Sequence, residues 1–177
     1  MRSIPGILIL FLTLLGALSV PGEQPVELTP VEFKALTLAK TPPYIQWPDS
    51  AFTGSESNLV IGVLGKDPFG GLLQNLVKGQ QIKNRDIVVK VFESPSQFTH
   101  CQILFVPAEA QADWLELFKT IDSNGVLTVG ETEDFIKSGG IFNLSVKERK
   151  LEINLRNAKK AGLTIDSRLL KIARVTR

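Results

Sequence analysis

The chain has 177 residues, 44% of them hydrophobic and 21% charged, with 20 Lys+Arg against 18 Asp+Glu for a net charge of +2. Those values exclude a disordered or fibrous chain, and so small a net charge gives no footing for nucleic acid as a partner. A single cysteine, Cys101, rules out an intrachain disulfide, and a single histidine, His100, leaves any zinc site to be built mainly from carboxylates.

Residues 1–19 read as a signal peptide. Arg2 supplies the positive start, Ile7 to Leu18 is almost wholly apolar, and the small residues Ala17 and Ser19 stand before Pro21. The run is too short to span a bilayer, and no cysteine follows it to carry a lipid, so an exported, periplasmic protein cleaved after Ser19 is expected. Residues 20–58 read as an N-terminal helix and linker. Thr29 is placed as N-cap, Pro30 opens the helix, and Glu32 sits at capping-box spacing. The helix is expected to stop near Thr41 because Pro42 and Pro43 cannot continue it, and Tyr44 to Pro48 then runs extended into a polar loop.

Residues 59–177 read as one α/β domain. Apolar runs at Leu59–Leu64, Ile87–Phe92, Gln102–Val106 and Val126–Val129 predict buried strands. They alternate with helical stretches that end near Lys78, span Glu109–Ile121 with Trp114, Leu117 and Phe118 on one face, and span Thr132–Lys137. Ile141–Val146 and Leu151–Leu155 flank the charged tip Lys147–Lys150, which predicts an antiparallel edge hairpin whose second arm alternates Leu151, Ile153 and Leu155 with Glu152 and Asn154. A short helix stopped at Gly162 and a last helix capped by Asp166 close the chain. The expected fold is a single three-layer domain: a mostly parallel sheet flanked by helices, with an antiparallel hairpin at one edge.

In such a fold ligands gather beyond the carboxyl ends of the strands. That crest brings Lys66, Asp67 and Phe69 together with Gly130 and Glu131, and Asn143 is a polar residue placed to satisfy backbone or face a ligand. Asp67 can instead cap the following helix, and Glu131, Glu133 and Asp134 can favour the start of the Thr132 helix through its dipole. Gly65 to Gly71 matches neither a dinucleotide fingerprint nor a phosphate loop. His100 and Cys101 are adjacent on an extended run and so point apart, no Ser lies in a nucleophile elbow, and no cofactor or metal is called for. From Arg168 to Arg177 there are four Lys or Arg and no acid, which suits a helix C-terminus or a docking patch.

Several segments, in order, resemble the YfiR-like family. They are Trp47-Pro48, Val60 to Gly65 with Asp67-Pro68-Phe69, Cys101 to Val106, Val126 to Gly130, Phe135 with Gly139-Gly140-Ile141, Leu151 to Leu155, and Ala161 to Leu170. The resemblance implies a periplasmic regulator without enzymatic activity. Such a protein restrains a membrane-bound diguanylate cyclase by binding its periplasmic part, and an outer-membrane lipoprotein sequesters it in turn, so that the output is cyclic di-GMP and biofilm formation. Redox control through a disulfide, which the resemblance also implies, is closed to a chain with Cys101 alone. The other reading is a periplasmic small-molecule-binding or sensory protein using the crest, and the exposed hairpin suits a homodimer.

Overall fold

The structure is a computed structural model that describes residues 28–54, 57–121 and 124–176. The predicted signal peptide lies outside the described residues.

Helix α1 (Pro30–Lys40) starts as its capping box dictates. The Thr29 hydroxyl oxygen accepts the Glu32 N–H at 3.2 Å, and the Glu32 carboxylate accepts the Thr29 N–H at 2.7 Å. Pro42 ends it in a single 3-10 turn, after which β1 (Ile45–Gln46) is the only regular part of the predicted extended segment. Next come β2 (Leu59–Leu64), α2 (Leu72–Val77), β3 (Gln81–Ile82), β4 (Arg85–Phe92) and β5 (Ile103–Val106). Then follow α3 (Gln111–Leu117), β6 (Leu127–Gly130), β7 (Phe142–Ser145) and β8 (Lys150–Asn154). The chain closes with α4 (Leu155–Lys160), β9 (Thr164–Ile165), α5 (Ser167–Leu170) and β10 (Arg174–Thr176).

The main sheet has eight strands in the order β10-β8-β7-β6-β5-β2-β4-β3. From β4 through β2, β5 and β6 to β7 the pairing is parallel, β7 and β8 form the antiparallel hairpin, and β1 and β9 pair in a small sheet of their own. Side chains alternate across the sheet, so its two faces carry two cores. On one face Ile61, Val63, Phe105, Val129, Leu144 and Ile153 lie under α1, α2, α4 and α5, which contribute Leu38, Leu73, Ala158 and Leu169. On the other, Leu64, Leu104 and Val106 meet Trp114 and Leu117 of α3 together with Phe135.

Three expectations need correction. Thr132–Lys137 is a run of turns rather than a helix, because its chain must double back: Phe135 is buried with its ring against Gly130 and Gly140, and the Gly140 N–H returns to the Phe135 carbonyl at 3.0 Å. Asp67 does not cap α2, which begins after Gly71; its carboxylate accepts the Phe69 N–H at 2.8 Å within the turn. Helix α3 is shorter than Glu109–Ile121, since Pro107 leads into a separate 3-10 turn over Ala108–Ala110. Two edge strands escaped the pattern. β3 is made by a tight turn with Lys83 and Asn84 at positive φ, and β10 lies parallel to β8 beyond the hairpin.

Candidate functional site

The crest is knitted to α1. Glu131, just past β6, accepts the Ala108 N–H at 2.9 Å through one oxygen and meets the Lys34 ammonium at 2.9 Å through the other, with both side chains nearly buried. No helix starts there, so the pairing with Lys34, and not a dipole, accounts for the acid. Lys34 also stands over the Phe105 ring at 5.9 Å, and Phe69 is buried against the same ring with centroids 5.3 Å apart. Gly130 has a packing reason of its own, for a Cβ there would come within 2.2 Å of the Phe135 ring. Asn143 is buried beside it, and with its amide assigned so that the nitrogen donates to backbone it bonds the carbonyls of Thr132 and Gly130 at 3.0 and 3.1 Å, which pins the loop that Phe135 plugs. Lys66 is exposed and Asp67 is committed to its turn. The structure therefore brings Gly130, Glu131 and Asn143 together around one loop and leaves Lys66 apart from their contacts.

A cavity of about 860 Å³ opens on the second face of the sheet, with Phe118 at the end of α3 in its lining. Its floor is polar where the other face is apolar. Thr128 of β6, Glu152 and Asn154 of β8 and Thr176 of β10 line it, and register places Asn143 opposite Glu152 and Thr176 opposite Asn154. One wall is the 132–140 loop with Glu133 and Lys137; the other is α4 with Arg156, Asn157 and Lys160. Asn157 ties the walls together by donating to the Gly140 carbonyl at 2.8 Å, and Asn154 caps α4 by accepting the Asn157 N–H at 3.0 Å. Glu152 pairs with Arg174 at 2.9 Å, which raises the arginine's pKa, and Asp134 pairs with Lys137 at 2.8 Å, which raises the lysine's. Such a groove suits a ligand or chain segment with both charged and apolar parts. Sequence reasoning missed it, although the alternation of Glu152 and Asn154 with Leu151 and Ile153 marks the wet side of β8.

Nucleophilic chemistry has poor material. Cys101 is fully buried, and burial pushes its thiol up to about 12, against the opposing pull of Gly62's backbone and Lys90. The neighbouring His100 points away and bonds the Ala51 carbonyl at 2.8 Å. Gln102 is buried beside Cys101. Its side chain accepts the Val60 N–H at 2.7 Å and donates to Ala51, while its carbonyl receives the Trp47 indole N–H at 3.2 Å. Trp47 and Cys101-Gln102 are thus a structural clasp between the linker and the sheet. Among the described residues no group of three or more His, Cys, Asp or Glu is placed to hold a metal ion, and no helix is long and apolar enough to cross a membrane.

The structure is similar in fold to the crystal structure of a conserved domain protein from Vibrio cholerae O1 biovar El Tor strain N16961. The TM-score is 0.51 at 13% identity, covering 85% of this chain and 61% of that one. The chain thus spans about three fifths of that protein's length, and at this identity the likeness speaks for the fold alone. None of the curated proteins matches the chain. A family model described as YfiR/HmsC-like matches residues 31–174, from α1 to the first residue of β10. With the match running through both sheets and all five helices, the chain belongs to the YfiR/HmsC-like family.

Proposed function

We propose that this protein is a non-catalytic periplasmic regulator that binds and restrains a membrane-bound signalling partner, a diguanylate cyclase whose output controls biofilm formation. Membership of the YfiR/HmsC-like family over residues 31–174 carries this reading. The buried, high-pKa Cys101 agrees with it, and His100 next to it bonds the Ala51 carbonyl rather than the thiol. Coupling of this kind needs no chemistry from the regulator, only a difference in affinity between two states of the partner. The test is to export the chain with an affinity tag and identify the membrane proteins that it retains. Recovery of a diguanylate cyclase, with cyclic di-GMP rising when the regulator is deleted, is the expected result; recovery of no transmembrane signalling protein overturns it.

The second reading, a ligand-sensing protein, is favoured by one observation: the polar groove of about 860 Å³ between the 132–140 loop and α4. A ligand seated there raises the melting temperature, and Arg156→Ala with Lys160→Ala abolishes that rise if the ligand is anionic.

A further inference from the structure

A second concavity of about 370 Å³ lies between α1 and α5, smaller than the first groove and more apolar. Its interior is apolar, built from Phe33 and Leu36 of α1 and Leu169 of α5. Ile172 stands at its lip with 80% of its surface exposed, the most exposed of the large hydrophobic residues described. Among the described residues, every charged residue that lines it is a cation: Lys40, Arg149 and Lys150. The surroundings continue the pattern. Lys171 precedes Ile172 and is exposed, and the Arg168 guanidinium sits 5.3 Å from the centre of the Tyr44 ring, which is itself part of the lining. The acids at hand, Glu148 and Asp166, are already engaged by Lys150 and Arg168.

Ile172 carries the apolar interior of the groove out to its rim, and together with the surrounding cations it makes a face that fits an occupant apolar inside and negative outside. A bilayer containing anionic phospholipid has that arrangement, with acyl chains below a layer of phosphates. An acidic protein would pair with the cations but leave Ile172 in water, and a second copy would bring cations against cations. We propose that this face docks on the surface of an anionic phospholipid membrane, with Ile172 and the groove entering the interface and Lys40 and Lys171 meeting the phosphates. Lys171, within the acid-free stretch that follows Asp166, acquires a role in this way, and a regulator of a membrane-bound partner is held in the plane where that partner lies.

The experiment is co-sedimentation of the chain beginning at Val20, which keeps every described residue, with vesicles of phosphatidylcholine alone and with about one third phosphatidylglycerol. Binding to the anionic vesicles only, weakened by salt, is expected. Ile172→Ser should weaken it about tenfold and Lys171→Glu about tenfold, from the usual contributions of one buried aliphatic side chain and of surface cations. Both positions are exposed, so an unchanged melting temperature shows that neither variant acts through folding. Equal binding to the two kinds of vesicle, no binding, or binding indifferent to both substitutions overturns the proposal. So does self-association in free solution that Ile172→Ser abolishes, which would give the face to a second copy. The vesicles contain no protein, so failure here leaves the partner reading standing, and failure of the pull-down leaves this one.

Discussion

The crest beyond β6 and the groove beyond β8 are built from the same kinds of residue and end in opposite states. At the crest, the charges and amides are consumed by the fold: Lys34 with Glu131, Asn143 with two backbone carbonyls, Phe69 with Phe105. In the groove, Glu133, Arg156 and Lys160 line open space of about 860 Å³. The difference arises from what covers each region. Helix α1 lies over the crest and brings Lys34 to Glu131, whereas the 132–140 loop, α4 and Phe118 stand beside the groove. A polar residue near a strand's carboxyl end is therefore available to a ligand only where no element crosses above it.

The sharpest way to break this contrast is to remove the plug that the two regions share. Phe135 is fully buried, packs against Trp114 at 5.1 Å between ring centroids, and fills the space that Gly130 and Gly140 leave. Phe135→Ala is expected to cost about 4 kcal/mol, from lost burial plus the cavity left behind, and to lower the melting temperature by about 10 °C. Gly130→Ala should be similarly severe, because its new Cβ meets the ring at 2.2 Å. Combining it with Phe135→Leu should recover part of the loss, a coupling that a double-mutant cycle in urea measures.

Next in size is the ion pair of the crest. Lys34→Met alone leaves Glu131 buried without its cation and should cost about 2 kcal/mol. Adding Glu131→Gln restores most of that, since the amide oxygen still accepts the Ala108 N–H while the buried charge is gone. A double variant as unstable as the single one would show that the pair positions α1 by more than its charge. Smaller again is the strut of the groove. Asn157→Ala removes the hydrogen bond to Gly140 and should cost about 1 kcal/mol, but amide exchange should quicken over residues 132–140 and leave the crest strands protected.

How far these regions were legible follows from the same physics. The parallel strands and the capping box of α1 were legible because unbroken apolar runs and Thr29-Pro30-Val31-Glu32 are local signals. The turns of 132–140 were not: Thr132 to Lys137 has helical composition, and the ring that forbids a helix owes its place to glycines on either side, two of which, Gly130 and Gly140, touch it only after folding. Lys34 was unreadable as the partner of Glu131 across 97 positions of sequence. β9 and β10, with two and three residues, offer no period to detect. The alternation in β8 was visible, but not which of its faces lines a groove, because the walls, the 132–140 loop and α4, come to it only on folding.

The smallest expected effect tests whether an ion pair on the open side behaves like the one at the crest. Asp166 caps α5 by accepting the Arg168 N–H at 2.8 Å, and the Arg168 side chain closes on the same carboxylate at 2.9 and 3.1 Å. The side-chain bond first, and the backbone bond after it, hold the Asp166 carboxyl below the usual carboxylate range. A carboxyl whose pKa is lowered by folding adds stability above its unfolded value, and that contribution is lost as pH falls through the lowered folded value. Asp166→Asn retains a competent cap but has nothing to titrate. Its urea midpoint should lie slightly below that of the parent at pH 6, and the gap should close below about pH 4, near the ordinary aspartate value. Arg168→Gln should narrow the same gap while leaving the cap in place. Because this pair is solvated where Lys34–Glu131 is enclosed, 0.5 M salt should shrink the Asp166 effect and spare the crest. Equal salt sensitivity in the two would mean that water reaches Glu131, and that the crest is as open as the groove.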